Sequence, residues 1–458
     1  MKSEANKLLV STIKKLLHRR ASQQLHKVIA RSHAADLAYV VNLLTTGERR
    51  VFFEVIEDTD RAAEIVTEVE PRVQLELIDM LTDRQMLRLI AAWSSDDTAD
   101  ILASLGEERK ELLLTMMQLD ELATTQSLMG YDPETAGGLM VPEFFALDET
   151  TTAGEAIEKL QEDAGRTEMV FYLYVINEHG HLVGVTSLRE LVLSRPGRTL
   201  GDFMIAEVVR VELETDQEEV ARLIARYNLV ALPVVDPNNH LCGVVTVDDI
   251  IDVIRSEATE DMMLMAGAGD QSVDEYGSLL VGLRARLPWL MPSLIGGVGA
   301  GAAIAFSEVQ VVRIAPLAAC VPLLMTLGGN VSNQSAAIVT RGLALGRADF
   351  KKPVRVILSE LAVGLGAGVV YGVIIAALTY VAFGANAGVV EAGVWSFAAV
   401  VAASLALSLS VAAAVGALIP MVFSRLGLDP ALATGPLVIP AVDVLGLWIF
   451  FGFASALL

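Results

Sequence analysis

A single aspartate stands inside the last long apolar stretch of the chain. Asp443 is the only charged residue in the run Thr434–Leu458. An ionised carboxylate at mid-membrane depth costs at least about 2.5 kcal/mol, so such a residue is a functional hypothesis by default. A basic residue on another helix is one possible partner, but no Lys or Arg occurs deep in any apolar stretch. A passing cation is therefore the expected partner, and carbonyl oxygens freed by Pro436 and Pro440 are further candidate ligands.

A second polar group lies inside an earlier apolar stretch. Gly328–Ser335 contains two asparagines, a glutamine and two serines, with Asn330 first among them. These amides and hydroxyls are suited either to a hydrated ion or to hydrogen bonds between helices, and the sequence leaves both open. Glu360 is expected at the membrane interface and has a weaker claim.

Several acidic residues share a helical face without a basic partner beside them. The groups are Asp96 with Asp100, Asp249 with Asp252, and Glu257 with Glu260 and Asp261. Like charges at this spacing destabilise a helix by a few tenths of a kcal/mol. A divalent cation would reverse that sign, and carboxylates without Cys or His suit a hard ion such as Mg²⁺ or Ca²⁺. The ordinary interpretation of any one acid is a solvated helix face.

The charge of the chain changes sharply near residue 280. Nine basic and six acidic residues follow it, which leaves 25 of the 34 Lys and Arg and 50 of the 56 Asp and Glu before it. A head of net charge near −25 thus precedes a tail near +3. An acidic head repels nucleic acid and attracts cations, so no nucleic-acid partner is expected.

The tail contains five apolar stretches, each long enough to cross a bilayer, which needs about 20 residues. They are Pro288–Ser307, Ile314–Val339, Ile357–Phe383, Trp395–Phe423 and Thr434–Leu458. Eight of the nine basic residues fall on one side if the head is cytosolic, in agreement with the positive-inside rule. The N-terminus is then cytosolic and the C-terminus extracytosolic.

Residues 1–30 are basic and amphipathic and show no signal-peptide pattern. Glycines within the stretches, such as Gly364, Gly368 and Gly372, predict close helix packing.

The head divides into a helical part and a duplicated α+β part. Residues 22–130 show short amphipathic helices with a weak repeat, which predicts a small α-superhelix without strands. Two copies of a β–α–β–β–α pattern follow. Their predicted hairpin strands are Phe171–Ile176 with Leu182–Thr186, and Ala231–Val235 with Leu241–Thr246. The five-residue difference between the copies fits an insertion around Glu162–Glu168.

The ends of the second strands carry a shared pattern. Ser187 precedes Arg189 and Glu190 in the first copy, and Thr246 precedes Asp249 in the second. This arrangement resembles a tandem pair of CBS domains, in which the hydroxyl and the acid hold the ribose of an adenine nucleotide. The resemblance implies a nucleotide site at Ser187, Arg189, Glu190 and Thr246. Glu190 replaces the usual Asp, and Leu229 stands where an aromatic residue can stack on adenine, so a regulatory hinge without nucleotide is the alternative.

The ordered set of motifs resembles the MgtE-type magnesium channels from about His33 to the end of the chain. These motifs are Asp132–Met140, Asp216–Val220, Leu232–Asp236, Val245–Asp249, Glu257–Asp261, Gly328–Ser335 and Asp429–Ala431 followed by Asp443. The resemblance implies a homodimer whose pore ligands are Asp443, Asp429 and Asn330. It also implies that regulatory Mg²⁺ binds Glu64, Asp96, Asp100, Asp216, Glu218, Asp249, Asp252, Glu257, Glu260 and Asp261. Asn228, Ser332 and Pro440 depart from the family pattern.

The resulting expectation is a multidomain membrane protein. Its parts are an α-superhelical N domain (1–130), tandem CBS domains (137–256, divided into 137–198 and 201–256), a connecting helix that plugs the pore (257–280) and a five-helix transmembrane domain (281–458). The expected function is a Mg²⁺-selective channel in the cell (inner) membrane that imports Mg²⁺ and that cytosolic Mg²⁺ closes, with ATP as a further ligand. The alternatives are a secondary divalent-cation carrier coupled to Na⁺ or H⁺, and a membrane-anchored nucleotide sensor without transport. No nucleophile–base pair or phosphate-cradling loop suggests an enzyme.

Overall fold

The computed structural model describes residues 2–162, 171–268, 279–307, 316–344, 352–383 and 394–457. The chain forms two compact units, Met1–Arg255 and Ser256–Leu458. Most of the expected insertion, residues 269–278 of the expected connecting segment, and three of the basic residues used for orientation (Arg313, Arg347 and Lys351) lie outside the described ranges.

Ten helices form the first part of the N-terminal unit. They are α1 Lys2–His18, α2 Ser22–Arg31, α3 Ala34–Asn42, α4 Thr46–Glu54, α5 Thr59–Glu68, α6 Pro71–Met80, α7 Asp83–Ile90, α8 Ser95–Ala103, α9 Glu107–Met116 and α10 Leu119–Leu128. Capping residues and a first-turn proline in the sequence determine where several of these helices begin. Thr45 and Thr82 form capping boxes, Asp58 caps α5, and Pro71 occupies the first turn of α6.

These short helices pack as a superhelix. Each odd-numbered helix contacts the next, from α1 through α3, α5 and α7 to α9. Phe52, Ile65, Met86 and Leu102 are fully or almost fully buried in the shared core. Arg49 is also buried, and its guanidinium donates to the carbonyl of Val41. Within the described residues of this segment no strand occurs, so the prediction of an all-helical N-terminal domain is confirmed.

The second part of this unit contains two copies of a three-stranded module. The first comprises α11 Ala136–Leu139, β1 Ala146–Asp148, α12 Ala153–Glu162, β2 Tyr172–Ile176, β3 Leu182–Ser187 and α13 Leu188–Leu193. The second comprises β4 Val211–Glu212, α14 Gln217–Tyr227, β5 Ala231–Val235, β6 Leu241–Thr246 and α15 Val247–Met265. In each, the first strand runs parallel to the middle strand, which is antiparallel to the third. The predicted β–α–β–β–α duplication is confirmed.

The two copies make equivalent contacts at equivalent positions. Gly184 of β3 packs against the side chain of Met204, and Gly243 of β6 packs against Met140. His181 and His240, at the two hairpins, form an isolated antiparallel bridge. The spacing of these glycines and methionines in the sequence therefore reflects a structural repeat.

The second unit contains long apolar helices after the end of α15. They are α16 Leu279–Phe306, α17 Pro316–Ala344, α18 Pro353–Phe383, α19 Val394–Arg425 and α20 Val438–Leu457, with a 3₁₀ turn at Pro430–Ala433. Among the described residues four segments are long and apolar enough to span a membrane: Gly282–Phe306, Pro353–Leu378, Trp395–Arg425 and Pro430–Leu457. The helix α17 is also long, but the polar run that begins at Asn330 interrupts its apolar character.

Four of the five helices extend beyond the apolar stretches that predicted them, whereas α20 begins four residues after the start of the stretch Thr434–Leu458. Arg284, Arg286, Arg341, Arg355 and Arg425 all lie in helical segments. Arginine is a strong helix former, so the helical backbone continues where hydrophobicity ends. The predicted starts and ends marked the apolar portions rather than the helices themselves.

Glycines bring α18 and α19 into close contact. Gly364, Gly368 and Gly372 lie four residues apart on one face of α18, and a Cβ at Gly368 would collide with the backbone of Ala406. Gly416 of α19 similarly faces the backbone of Ser332 in α17. The predicted role of these glycines in packing is confirmed, because a larger side chain would force the helices apart.

Candidate functional site

Asp443 lies within α20, between two faces that pack on different helices. On one side Pro440 and Val444 fit against Gly296 and Gly299 of α16. On the other side Val442 approaches Gly328 of α17. The Oδ1 atom of Asp443 is buried and has no hydrogen-bond partner within the described residues. A buried carboxylate oxygen without a partner in an apolar helix is a candidate cation ligand.

The polar run of α17 mainly joins helices. Ser335 Oγ donates to Glu360 Oε2 of α18 at 2.7 Å, and Asn333 Oδ1 accepts from Gly435 N at 3.2 Å. Ser332 is buried and bonds within its own helix. Asn330 is exposed, one residue after Gly329, which packs near Ile439 of α20. Of the two interpretations of this run, interhelical bonding describes Ser335, Asn333 bonds the turn that precedes α20, and Asn330 remains the candidate ligand.

Three charged residues, Asp261, Asp429 and Arg341, lie near the 3₁₀ turn that precedes α20. Asp429 caps the 3₁₀ turn, and its Oδ1 accepts from Ala431 N at 2.7 Å. Burial raises the pKa of Asp261 in α15, the negative charge of Asp429 raises it further, and Arg341 opposes them. Two of the predicted metal-binding acids, one from the connecting helix and one from the expected pore mouth, are therefore neighbours.

The same region contains a close backbone contact. Gly435 faces the carbonyl oxygen of Met265 at the end of α15, and Gly267 faces Pro436. Gly267 has a φ of +67°, a conformation that favours glycine. The end of the connecting helix is thus seated against the segment that leads into α20.

A second acidic cluster lies within the N-terminal unit, between α8 and α15. Burial raises the pKa of Asp249 to about 7, and the charges of Asp96 and Asp97 add to the effect. Burial likewise raises the pKa of Asp100 to about 6, with Asp96 again contributing. Glu143 accepts a hydrogen bond from Ser95 Oγ and adds negative charge beside Asp96. Residues from three distant parts of the chain therefore converge here.

The donor set of this cluster fits a hard divalent cation. Its members are carboxylates, and the Oδ1 atom of Asp96 is buried without a hydrogen-bond partner in the described part of the chain. Oxygen ligands are those that Mg²⁺ prefers. In the arrangement described, however, no three His, Cys, Asp or Glu side chains converge closely enough to hold a metal. The cluster offers charge and one free oxygen rather than a finished coordination shell.

The remaining predicted regulatory acids occupy varied surroundings. Glu64 pairs with Arg61 at 2.8 Å, and Asp216 caps α14 by accepting from the backbone of Glu218. Glu257 is half-buried and Glu260 exposed. The expectation that Asp252 lacks a basic partner is wrong, because Arg255 lies 3.5 Å away, one helical turn further along.

The two predicted nucleotide-binding pairs differ in structure. In the first copy Ser187 Oγ accepts from Glu190 N and caps α13, while Arg189 lies 3.9 Å from the Glu190 carboxylate. In the second copy Thr246 Oγ1 donates to Asp249 Oδ2. Thr246 also lines a cavity of about 20 Å³ beside Phe144 and Tyr174, which is too small for a nucleotide. Both hydroxyl residues are half-buried, but Glu190 of the first pair is exposed whereas Asp249 of the second is half-buried.

Comparison with known families places each part of the chain. Residues 321–453 match the MgtE family described as a divalent cation transporter, residues 32–134 match the MgtE intracellular N domain, and residues 136–196 and 200–256 match the CBS domain. Together with the apolar helices, these matches define a multi-pass divalent cation transporter with a CBS pair.

Relatives that match nearly the whole chain identify the family within this class of transporters. The chain is 34% identical over 421 residues to the magnesium transporter MgtE of Bacillus subtilis, covering 92% of this chain and 91% of that protein. It is also 34% identical over 461 residues to MgtE of Thermus thermophilus, covering 99% of each. The chain therefore belongs to the MgtE family of magnesium transporters, and it is not an enzyme.

Solved structures agree with this assignment for the head. The cytosolic domain of the Mg²⁺ channel MgtE in complex with ATP is 34% identical, covers 53% of this chain and 99% of its own, and gives a TM-score of 0.51. The soluble part of a magnesium transporter is 27% identical, covers 55% of this chain and 99% of its own, and also gives 0.51.

Several residues that contribute to these charged clusters were not predicted from the sequence. Glu143 and Asp97 belong to the acidic cluster, and Arg341 balances Asp261. Each acts across a long separation in sequence, so helical spacing gave no signal for them. Asn228 did carry a signal: it ends α14 in the left-handed conformation, where asparagine is common.

Proposed function

We propose that this protein is a Mg²⁺-selective channel of the cell (inner) membrane that imports Mg²⁺. The observation that carries the proposal is the buried Oδ1 of Asp443 within an apolar helix, which has no hydrogen-bond partner among the residues that the structure describes. Membership in the magnesium transporter family supports Mg²⁺ as the transported ion. Asn330 and Asp429 are proposed as further ligands along the route, Asn330 beside the glycines that pack on α20 and Asp429 before its first turn.

We propose four domains with the boundaries predicted from the sequence. These are an N domain (1–130), a CBS pair (137–256), a connecting helix (257–280) and a transmembrane domain (281–458) in which α17 supplies the fifth span. The N-terminus is placed in the cytosol and the C-terminus outside. Two copies would form a homodimer in the bilayer, and the pore would then meet two copies of Asp443.

Closure by cytosolic Mg²⁺ would follow from the acidic contacts. Asp261 and Asp429 repel each other, as do Asp249 and the α8 aspartates. An ion that bridges such groups binds the compact state better than the loose one, and it shifts the equilibrium only by that difference. Glu64, Asp216, Glu218, Asp252, Glu257 and Glu260 are proposed to add weaker sites.

Binding of ATP is proposed at the first CBS copy. A related MgtE cytosolic domain was solved with ATP. In this chain Arg189 and Glu190 are exposed and Ser187 is half-buried at the start of α13, whereas Thr246 in the second copy is engaged with Asp249. ATP would then act as a regulatory ligand rather than as a substrate.

Substitution of Asp443 tests the proposed ion route. We expect Asp443→Asn, which keeps the volume but removes the charge, to abolish most Mg²⁺ uptake in a host that lacks its own transporters. Asp443→Glu should retain part of the uptake because it restores a carboxylate. Surface expression of each variant is the control. Wild-type uptake by Asp443→Asn would show that the ion does not pass this residue.

The main rival is a secondary carrier coupled to Na⁺ or H⁺. Current recordings from liposomes distinguish the two mechanisms. A channel gives unitary Mg²⁺ currents driven by voltage alone, whereas a carrier gives saturating flux that requires a counter-ion gradient. Dependence on such a gradient would replace the channel proposal with the carrier.

A further inference from the structure

The first two helices carry charge opposite to that of the rest of the head. Residues 1–31 contain eight Lys or Arg and one Glu, whereas residues 32–280 contain 17 basic and 49 acidic residues. The helices α1 and α2 also precede the segment that matches the intracellular N domain, which begins at residue 32. The positive charge is thus concentrated on one helical pair.

The basic side chains of this pair are available to a partner. Those in exposed positions are Lys7, Lys15, Arg19, Arg20, Lys27 and Arg31. Across the described ranges, none of these six forms an ion pair. The apolar residues Ile13, Leu17, Leu25 and Ile29 are instead buried in the superhelix core. The pair is therefore anchored by one face and presents its cations on the other.

One apolar side chain accompanies these cations. Leu8 is 68% exposed, and it shares a helical face with Lys15 and Arg19, which follow it by seven and eleven residues. An exposed leucine among lysines and arginines suits the boundary between lipid headgroups and acyl chains.

We propose that the exposed face of α1 and α2 binds the anionic phospholipid headgroups of the leaflet on the side of the head. A multi-pass protein keeps its head tethered near a bilayer, and clustered Lys and Arg are attracted to anionic lipid. The rest of the head, with a net charge near −32, is repelled by the same surface. Charge complementarity therefore selects this face. The proposal does not depend on the gating mechanism.

The test uses the full chain in nanodiscs of phosphatidylcholine, mixed with separate vesicles. Binding is measured by flotation with vesicles that contain phosphatidylglycerol and with pure phosphatidylcholine vesicles. We expect binding to the anionic vesicles alone. Each cation near the surface contributes about fivefold, so Lys15→Glu/Arg19→Glu/Lys27→Glu should weaken binding by at least about 100-fold.

The matched control changes the same net charge elsewhere. Arg84→Glu/Arg195→Glu/Arg210→Glu alters three exposed arginines outside α1 and α2 and should bind almost as well as the wild type. If the first variant melts early, Lys15→Gln/Arg19→Gln/Lys27→Gln replaces it. Equal loss in the control, or no binding by the wild type, overturns the proposal. Self-association without vesicles, lost in the α1–α2 variant, would assign the face to a second copy's acidic surface instead.

Discussion

Asp249 lies between a hydroxyl that donates to it and a group of carboxylates that repel it. Thr246 supplies the hydrogen bond, and Asp96, Asp97 and Asp248 supply the repulsion. Because its pKa of about 7 is above the usual value of 3.8, the folded protein binds this proton more tightly than the unfolded chain does. The stabilisation is complete below the ordinary pKa and is lost as the pH rises through about 7. Asp100, with a pKa of about 6, acts in the same direction.

We therefore expect the contact between α8 and α15 to tighten in acid when divalent ions are absent. Hydrogen exchange of the α8 amides, corrected for intrinsic rates, should slow between pH 8 and pH 5.5. Asp249→Asn should show a smaller difference between the two pH values, because only Asp249 is neutralised and Asp100 still titrates. Saturating Mg²⁺ at pH 8 should give the protection seen in acid. Equal protection of the wild type at both pH values without Mg²⁺ would contradict this assignment.

The helices and strands differ in how accurately their boundaries could be predicted from the sequence. The strands β5 and β6 were predicted to the residue, because each is a short apolar run bounded by clear turns. Four of the long helices were found but cut short, since hydropathy does not register a helix that continues through arginines, whereas the last predicted stretch began four residues before α20. The acidic cluster was only half predictable: helical spacing paired Asp96 with Asp100, but only tertiary folding brings Asp249 and Glu143 beside them.

Packing of α18 on α19 provides a test at the scale of elements. Gly368→Leu places a side chain against the backbone of Ala406 and should cost about 1–3 kcal/mol or more. Gly366→Leu, on the same helix, has no atom within 4 Å of the added Cβ and should be nearly neutral. Thermal stability of each purified variant in detergent is the measurement. A similar melting temperature for both would show that this interface is not tightly packed.

At the scale of the molecule, the acidic contacts are proposed to act together. One site whose ion binds only the compact state adds about 2.7 kcal/mol at a hundredfold excess over its Kd, so several weak sites would give a steep response. The contacts occur in both units: α8 with α15 in the first, and Asp261 with Asp429 in the second. Closure would then report the cytosolic Mg²⁺ concentration rather than the occupancy of one site.

Neutralising the acids near the end of α15 should weaken this response. We expect Glu257→Gln/Glu260→Gln/Asp261→Asn to require several-fold more cytosolic Mg²⁺ for half-maximal inhibition of current, because bridging ions lose their ligands. Glu158→Gln/Glu207→Gln/Glu214→Gln, which removes three exposed carboxylates outside the proposed sites, is the matched control. Inhibition at the wild-type concentration in the triple variant would remove this group from the gate.

The two CBS copies differ at the ends of their hairpins, and this difference limits how many nucleotides one chain can bind. The duplicated fold would offer two equivalent pockets per chain, yet Asp249 is turned toward Thr246 and α8 while Glu190 remains at the surface. We therefore propose that the first copy keeps a nucleotide site, whereas Asp249 of the second copy is committed to the contact with α8. Titration calorimetry should accordingly count one adenine nucleotide per polypeptide, and two would show that the second pocket can still be opened.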